Sequence, residues 1–342
     1  MIRSMYSGIS GLKNFQTKLD VIGNNISNVN TYGFKKGRTV FKDLISQTTS
    51  GASAATGTRG GVNAKQVGLG SQLSAIDTIH SGGSLQSTGN TLDLGISGDG
   101  FFQVADGTGA TAAGGPTGYQ NTMYTRAGNF YMDSNGYLVD SSGKYLVGFS
   151  AAIEGPLTQT NASGTTSTST QILHPTPDEM KATFDFNTSG GPTATNATAS
   201  ITDLPSGVSF TGTATVAYKP ITIPTNAQSM SVSQDGAVTY VDQFGTLRWA
   251  GQITMAKFAN PGGLEKTGGN YYTESPNSGQ PLFNSANAGG NGSINSGFLE
   301  MSNVDLSEEF TDMIVAQRGF QANTRIITTS DQILEELVNL KR

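Results

Sequence analysis

His80 and His174 are the only two imidazoles in the chain, and no sequence spacing links them. A hydrolytic or metal-assisted reaction needs several convergent polar groups. The sequence contains no H-E-x-x-H, G-x-S-x-G or phosphate-loop pattern to supply them. Single histidines in a β-rich chain read as structural or solvated. Gly68-Leu69-Gly70 and Gly98-Asp99-Gly100 begin like dinucleotide-binding loops, but both lack the third glycine and a following helix, so they read as turns. Asp133-Ser134-Asn135-Gly136 shares only its opening with a calcium loop and reads instead as a hairpin turn. Glu308, Glu309 and Asp312 fall on the first turns of a helical stretch, where they complement the helix dipole rather than form an acid–base pair. Asn-x-Ser/Thr triplets such as those at Asn161, Asn196 and Asn291 are expected by chance in so Thr-, Ser- and Asn-rich a chain. The residues therefore offer no catalytic, cofactor-binding or metal site, and the chain reads as a protein that is not an enzyme.

The informative residues are apolar, and they lie at the two ends. Ile2, Met5, Ile9, Leu12, Leu19 and Ile26 recur in alternating steps of three and four, with Gln16 and Gly23 in the remaining seam positions. Leu306, Phe310, Met313, Phe320, Ile327, Leu334 and Val338 do the same, interrupted by Gln317, Thr324 and Asp331. A 3.5-residue repeat is the seam of a coiled coil. A second row, Ala316, Ile326, Ile333, Leu337 and Leu340, widens the apolar face of the last helix beyond what two strands need. The N-terminal helix is one expected partner. The surplus face points to other copies of the chain rather than to a closed monomeric bundle.

Composition fits this picture. The chain has 342 residues, 45 of them Gly, with only 13% charged residues. That profile suits many short strands and turns with large uncharged surfaces. The formal charge of −5 provides no basic field for nucleic acid. Charge is nevertheless segregated. Residues 1–50 carry Arg3, Lys13, Lys18, Lys35, Lys36, Arg38 and Lys42 against Asp20 and Asp43. Residues 300–342 carry eight acids against Arg318, Arg325, Lys341 and Arg342. Opposite signs favour association of the termini, although exposed pairs contribute only about 0–1 kcal/mol each, so burial of the stripes must dominate. There is no Cys, which excludes disulfides and Cys-based metal sites. No cleavable secretory signal and no membrane-spanning run is read, so the expectation is a chain that is cytoplasmic or leaves the cell without a cleaved signal.

Four regions are expected. Residues 1–32 and 303–342 form an inner helical coiled-coil domain. The first helix covers about residues 2–28 and stops at the cluster Asn24, Asn25, Asn28 and Asn30. Residues 33–66 form a connecting segment, with a short helix through Val40, Phe41, Leu44 and Ile45 and a flexible loop over 48–63. Residues 67–150 plus 221–302 form a middle β domain of short strands and Gly turns, including a hairpin through Asp133–Gly136. Residues 151–220, Thr-rich and poor in charge, form an outer β domain inserted in a loop. The fold class is thus mixed α and β, with paired terminal helices and nested, mainly-β middle and outer domains.

Several long motifs carry a family resemblance. Asn24-Asn25-Ile26-Ser27-Asn28-Val29-Asn30-Thr31-Tyr32-Gly33-Phe34-Lys35 resembles the N-terminal signature of the bacterial flagellar axial proteins of rod and hook. The matching positions are Asn24, Asn25, Asn28, Thr31, Gly33, Phe34 and Lys35. Further similarity runs through residues 84–94, Gly98–Phe102, Tyr124–Phe130, Gly297–Leu306 and Met313–Asn323. It covers roughly 1–150 and 220–342, whereas 151–220 carries no family signature. Within the family the set looks most like the hook protein of Gram-positive type, on its opening Met1–Leu12 and on the added outer domain. The distal rod protein is the alternative.

The resemblance implies a helical homopolymer with the paired terminal helices lining a central channel. It implies export, without a cleaved signal peptide, through the flagellar type III apparatus to an extracellular flagellar structure. In the hook reading the polymer is a bendable universal joint passing torque from rod to filament. Its partners are further copies of itself, the distal rod protein, the hook cap and the hook–filament junction proteins, with no cofactor, nucleic acid or membrane insertion. A secreted β-rich adhesin is the reading of a different class, but it would not need helical stripes at both ends.

Overall fold

The computed structural model describes residues 2–109, 118–150, 153–160, 166–177, 183–185, 193–195, 198–200, 204, 208–210, 213–215 and 217–340. The chain divides into two compact units. One comprises Met1–Asn30, Lys35–Ser81 and Asn303–Arg342; the other comprises Thr31–Phe34 and Gly82–Ser302.

The first unit is built on two long helices, α1 (Ile2–Ser27) and α2 (Leu306–Asn339). At the end of α1 the Asn cluster folds onto its own backbone: Asn28 donates through its side chain to Asn24 O at 2.9 Å. Asp305 caps α2, accepting from Ser307 N at 2.8 Å and Glu308 N at 3.4 Å, and Glu308 and Glu309 sit in the first turn. That places one acceptor and two negative charges at the positive end of the helix dipole. The helices pack antiparallel. Gly8 faces Asn323 and Ile327, Gly11 faces Asn323, and Gly319 faces the ring of Phe15. A Cβ on Gly319 would lie 2.5 Å from Phe15 Cζ, so the glycine is what admits the ring.

The rest of this unit corrects two expectations. Residues 40–45 do not form a helix: Gly37–Asp43 is a strand, β1, paired antiparallel with β4 (Ser71–Thr78). Thr39, Val40 and Phe41 are β-branched or aromatic and favour the pleated surface once a partner strand is available. Nor is 48–63 simply a loop. β2 (Ser46–Ser50) pairs with β3 (Lys65–Gly68), and isolated bridges Ser53–Val62 and Thr56–Arg59 carry the pairing to a tight tip. The four strands make one long two-stranded ribbon from Gly37 to Thr78. It brings residues 67–81, expected in the middle domain, into the helical unit.

The second unit holds a 13-stranded sheet whose main path joins segments before residue 150 to segments after 220. Tyr145–Ser150 pairs with both Ala217–Pro220 and Leu247–Ile253, as a chain that leaves a domain and returns requires. Its core is fully enclosed. Leu94, Phe102, Val104, Phe130, Leu138, Leu146, Ile253 and Ile294 have none of their surface exposed, all within one apolar cluster. Phe102 and Phe130 meet edge to face at 5.3 Å. One turn recurs at the strand connections. In 133–137, 140–144, 233–237 and 242–246 the first residue bonds back to the fifth, and the fourth is a positive-φ glycine, Gly136, Gly143, Gly236 or Gly245. This is a type I turn closed by a glycine bulge. Of the expected outer domain, strands occur at Ile153–Thr160, Thr166–Leu173, Thr183–Asp185, Thr193–Thr195, Thr198–Ser200, Val208–Phe210, Thr213–Thr215 and Ala217–Pro220. Ala182, Phe186, Val216, Asn161 and Asn196 lie outside the described residues.

Candidate functional site

The residues that suggested chemistry are absorbed by structure. Asp133 Oδ1 accepts from Asn135 N at 2.9 Å and Tyr137 N at 2.7 Å, so its carboxylate shapes the hairpin turn. Asp140 and Asp242 repeat the arrangement. Among the described residues no three His, Asp or Glu side chains group as metal ligands would. Gly70 (φ +122°) passes against the hydroxyl of Ser10, and Gly98 and Gly100 are also left-handed turns. His174 is buried. Its Nδ1 lies 3.1 Å from Tyr240 Oη, and its carbonyl accepts from Arg248, which also pairs with Asp242 at 2.9 Å. Burial, helped by Lys219 and Arg248, pushes the imidazole down to about 3, so it is a neutral structural group at ordinary pH. His80 is half-buried and belongs to the helical unit, whereas His174 belongs to the β unit.

The acids at the start of α2 face cations and an amide of α1 and the segment after it. Glu308 pairs with Lys36 at 2.7 Å, Asp312 with Lys18 at 3.2 Å, and Glu309 accepts from Asn25 at 3.1 Å. A groove of about 330 Å³ opens here among Lys18, Lys36, Arg38, Glu308 and Asp312. Its cations are already paired with carboxylates, Arg38 with Asp77 at 3.3 Å, which leaves little charge for a ligand.

The signature residues prove to be joints. Asn25 is buried and bonds Gly37 in both directions. Lys35 is completely buried and donates to Ser81 O at 2.8 Å. Gly33 (φ +70°) donates to Glu300 O at 2.8 Å, and a Cβ there would lie 2.6 Å from the backbone at Arg126 and Ala127. Phe34 is buried beneath Lys266, whose ammonium lies 5.0 Å from the ring. Asn24 stays exposed, while Asn28 and Thr31 lie at the turn that ends α1. Sequence reasoning missed three partners. Asn303 accepts from Lys36 N and donates to Ile79 O, both at 2.8 Å. Glu300 and Arg126 form a buried ion pair at 3.2 Å, and Glu300 also accepts from Gly83 N. Only the similarity of Tyr124–Phe130 and Gly297–Leu306 to the family marked these residues.

The apolar stripes are unevenly covered. Met5, Ile9, Leu12, Leu19 and Ile26 on α1 are half-buried, as are Met313, Phe320, Ile327 and Leu334 on α2. Ile2 belongs to α1, but its side chain lies outside the described residues. Leu306, Phe310 and Val338, expected in the seam, are exposed. The centre of the covered face is Ala316, with none of its surface exposed, a residue expected in the second row. Small residues let the backbones approach, so the covered face runs through Ala316, Gly319 and Asn323 rather than along the largest side chains. In this register α2 beyond Ile333 has no α1 residue opposite, which explains the exposure of Leu337, Val338 and Leu340.

Compared with known proteins, the chain is 48% identical over 343 aligned positions to the flagellar basal-body rod protein FlgG of Bacillus subtilis, covering the whole of both. This chain belongs to the flagellar rod and hook protein family. Three family models fall along it: "Flagella basal body rod protein" on residues 5–35, "Flagellar hook protein FlgE/F/G D1 domain" on 95–240, and "Flagellar basal body rod FlgEFG protein C-terminal" on 295–340. The flagellar hook protein FlgE of Borreliella burgdorferi is 35% identical over the full length of both chains, in an alignment of 456 positions. A crystal structure of Helicobacter pylori flagellar hook protein FlgE2 superposes on 63% of this chain and all of that one, at 11% identity and a TM-score of 0.35. The family's members are structural parts of the flagellum, not enzymes. The alignments also correct one expectation: with a FlgG matching end to end, the added outer domain does not favour hook over rod.

Proposed function

We propose that this chain is a subunit of the distal rod of the flagellar basal body, polymerising into a helical tube with other copies. The observation that carries this reading is the end-to-end match, at 48% identity, with a relative named as a rod protein and of nearly the same length. The relatives named as hook proteins that match the whole chain need 456 and 475 aligned positions. The hook remains the second reading, favoured by its 35% identity to the Borreliella hook protein. The universal-joint role belongs to that reading.

In either reading the polymer face is the uncovered side of the terminal helices. Leu306, Phe310 and Val338, with Ile326, Ile333 and Leu337 beside them, meet neighbouring subunits, and the half-covered seam residues of α1 and α2 complete a coiled coil. Most of these side chains are about half exposed, so covering one completely contributes about half of the ~1.5–3 kcal/mol of full burial. Residues 151–220 form the outermost layer. The subunit leaves the cell through the flagellar type III apparatus and contacts the proteins above and below it in the axial structure.

The test is localisation. A strain carrying the chain with an epitope inserted in 186–192 is used to prepare hook–basal bodies, and bound antibody is imaged. Label on the straight segment below the hook supports the rod reading. Label along the curved hook overturns it in favour of the second.

A further inference from the structure

Asn25 occupies a position that its place in a helix-ending cluster does not explain. It is 2% exposed, although it lies in the last turns of α1. Its Oδ1 accepts from Gly37 N at 2.9 Å, and its Nδ2 donates to Gly37 O at 2.9 Å. The amide thus pairs with the first residue of β1 as a neighbouring strand would. The second hydrogen on Nδ2 is directed to Glu309 Oε2 at 3.1 Å, and Glu309 is itself only 6% exposed, one turn into α2. One side chain therefore joins α1, β1 and α2, and its acceptor and both donor hydrogens are used. Gly37 makes this approach possible: a Cβ there would press to 3.3 Å on Val21 of α1.

We propose that Asn25 is the positioning residue that sets the axial register of α2 against α1, and through it decides which apolar residues of α2 stay uncovered. The flanking ion pairs, Lys36–Glu308 and Lys18–Asp312, pull the helices together, but their acids are 61% and 50% exposed and their long cations follow a sliding partner. Apolar contacts alone tolerate a slide, because i+3 and i+4 steps offer similar neighbours one turn away, about 5.4 Å along the axis. A short, buried, bidentate amide does not. The register claim stands on the geometry of the helical unit. Only its second half, concerning the polymer face, rests on the proposed function.

The absence of cysteine gives a clean measurement. A Cβ built on Gly11 lies 3.1 Å from Asn323 Cγ, close enough for an introduced cysteine pair to close. In full-length protein carrying Gly11→Cys and Asn323→Cys, mild oxidation should give an intramolecular disulfide. Adding Asn25→Asp places a carboxylate against Glu309 and the Gly37 carbonyl, and the cross-link should be lost. Adding Glu309→Gln to that variant replaces the repelling acid with a donor, and much of the cross-link should return. Asn24→Asp, at the exposed neighbour, should leave it unchanged. Fluorescence of the single tryptophan, Trp249, reports separately that the β unit is folded in every variant. Wild-type cross-linking in the Asn25→Asp variant would overturn the proposal, as would equal loss with and without Glu309→Gln while the tryptophan signal stays native. Polymerisation, followed by light scattering on the cysteine-free versions, is a separate readout. A lost cross-link with unchanged polymerisation would uphold the register role and refute the helical polymer face.

Discussion

The two units of this chain treat apolar side chains in opposite ways. In the β unit, Leu94, Phe102, Phe130, Leu138, Leu146 and Phe149 have no exposed surface at all. In the helical unit, among the described residues, only Ile22, Val304 and Ala316 are buried apolar side chains, while Phe310, Ile314, Val315, Ile326, Ile333, Leu337 and Val338 are 42–70% exposed on one helix. The first is a finished core. The second leaves large apolar side chains in water, which is the condition the proposed assembly would relieve. A subunit of a polymer needs both: a part whose fold is its own, and a part whose burial is completed by copies.

Substitutions can break or sharpen this contrast. The largest effect is expected at Glu300. Glu300→Ala leaves Arg126 buried without its carboxylate and removes the acceptor of Gly83 N, so the β unit should lose about 3–5 kcal/mol in urea unfolding followed at Trp249. Retention of full stability would mean that this core is less closed than described. Next is pH. His174 has a folded-state pKa depressed to about 3 from 6.5, so the unfolded chain binds the extra proton between those values. Stability of the β unit should therefore be complete above pH 6.5 and fall on acidification by up to about 1.4 kcal/mol per pH unit. The slope should flatten in His174→Gln, once carboxylate titration common to both proteins is subtracted. A smaller loss, about 1 kcal/mol, is expected for Asp305→Ala, which removes the cap of α2, and helix content by circular dichroism should register it. The smallest change in the isolated subunit is expected for Ile333→Ser, within about 0.5 kcal/mol, because the side chain is 42% exposed. The same substitution should slow polymerisation strongly. A large stability loss with normal polymerisation would reverse the contrast between the units.

The sequence announced the parts governed by local rules. Both helices are long and strongly periodic, and α1 ends within one residue of its expected stop because the asparagines there bond their own backbone. The Asp133 hairpin was legible because its turn is written in consecutive residues. β1 was misread because Val40, Phe41, Leu44 and Ile45 fit a helical face as well as a strand, and six or seven residues cannot separate the two periods. The ribbon beyond it was invisible because β2 and β3 are exposed at every residue, leaving no alternation to detect. Asn25 shows the limit most clearly. Its motif was recognised, but its work depends on Gly37, 12 positions away, and Glu309, 284 positions away.

The repeated five-residue turns of the β unit have a consequence for how the chain acquires its shape. Each of the four is specified by neighbours in sequence, with Asp133, Asp140 or Asp242, or the hydroxyl of Ser233, supplying the bonds that close it. Loops this short close without waiting for distant segments, on the microsecond scale of isolated hairpins. A chain that starts unfolded would thus bring its own corners, and the slow search would be confined to joining strands from either side of residues 151–220.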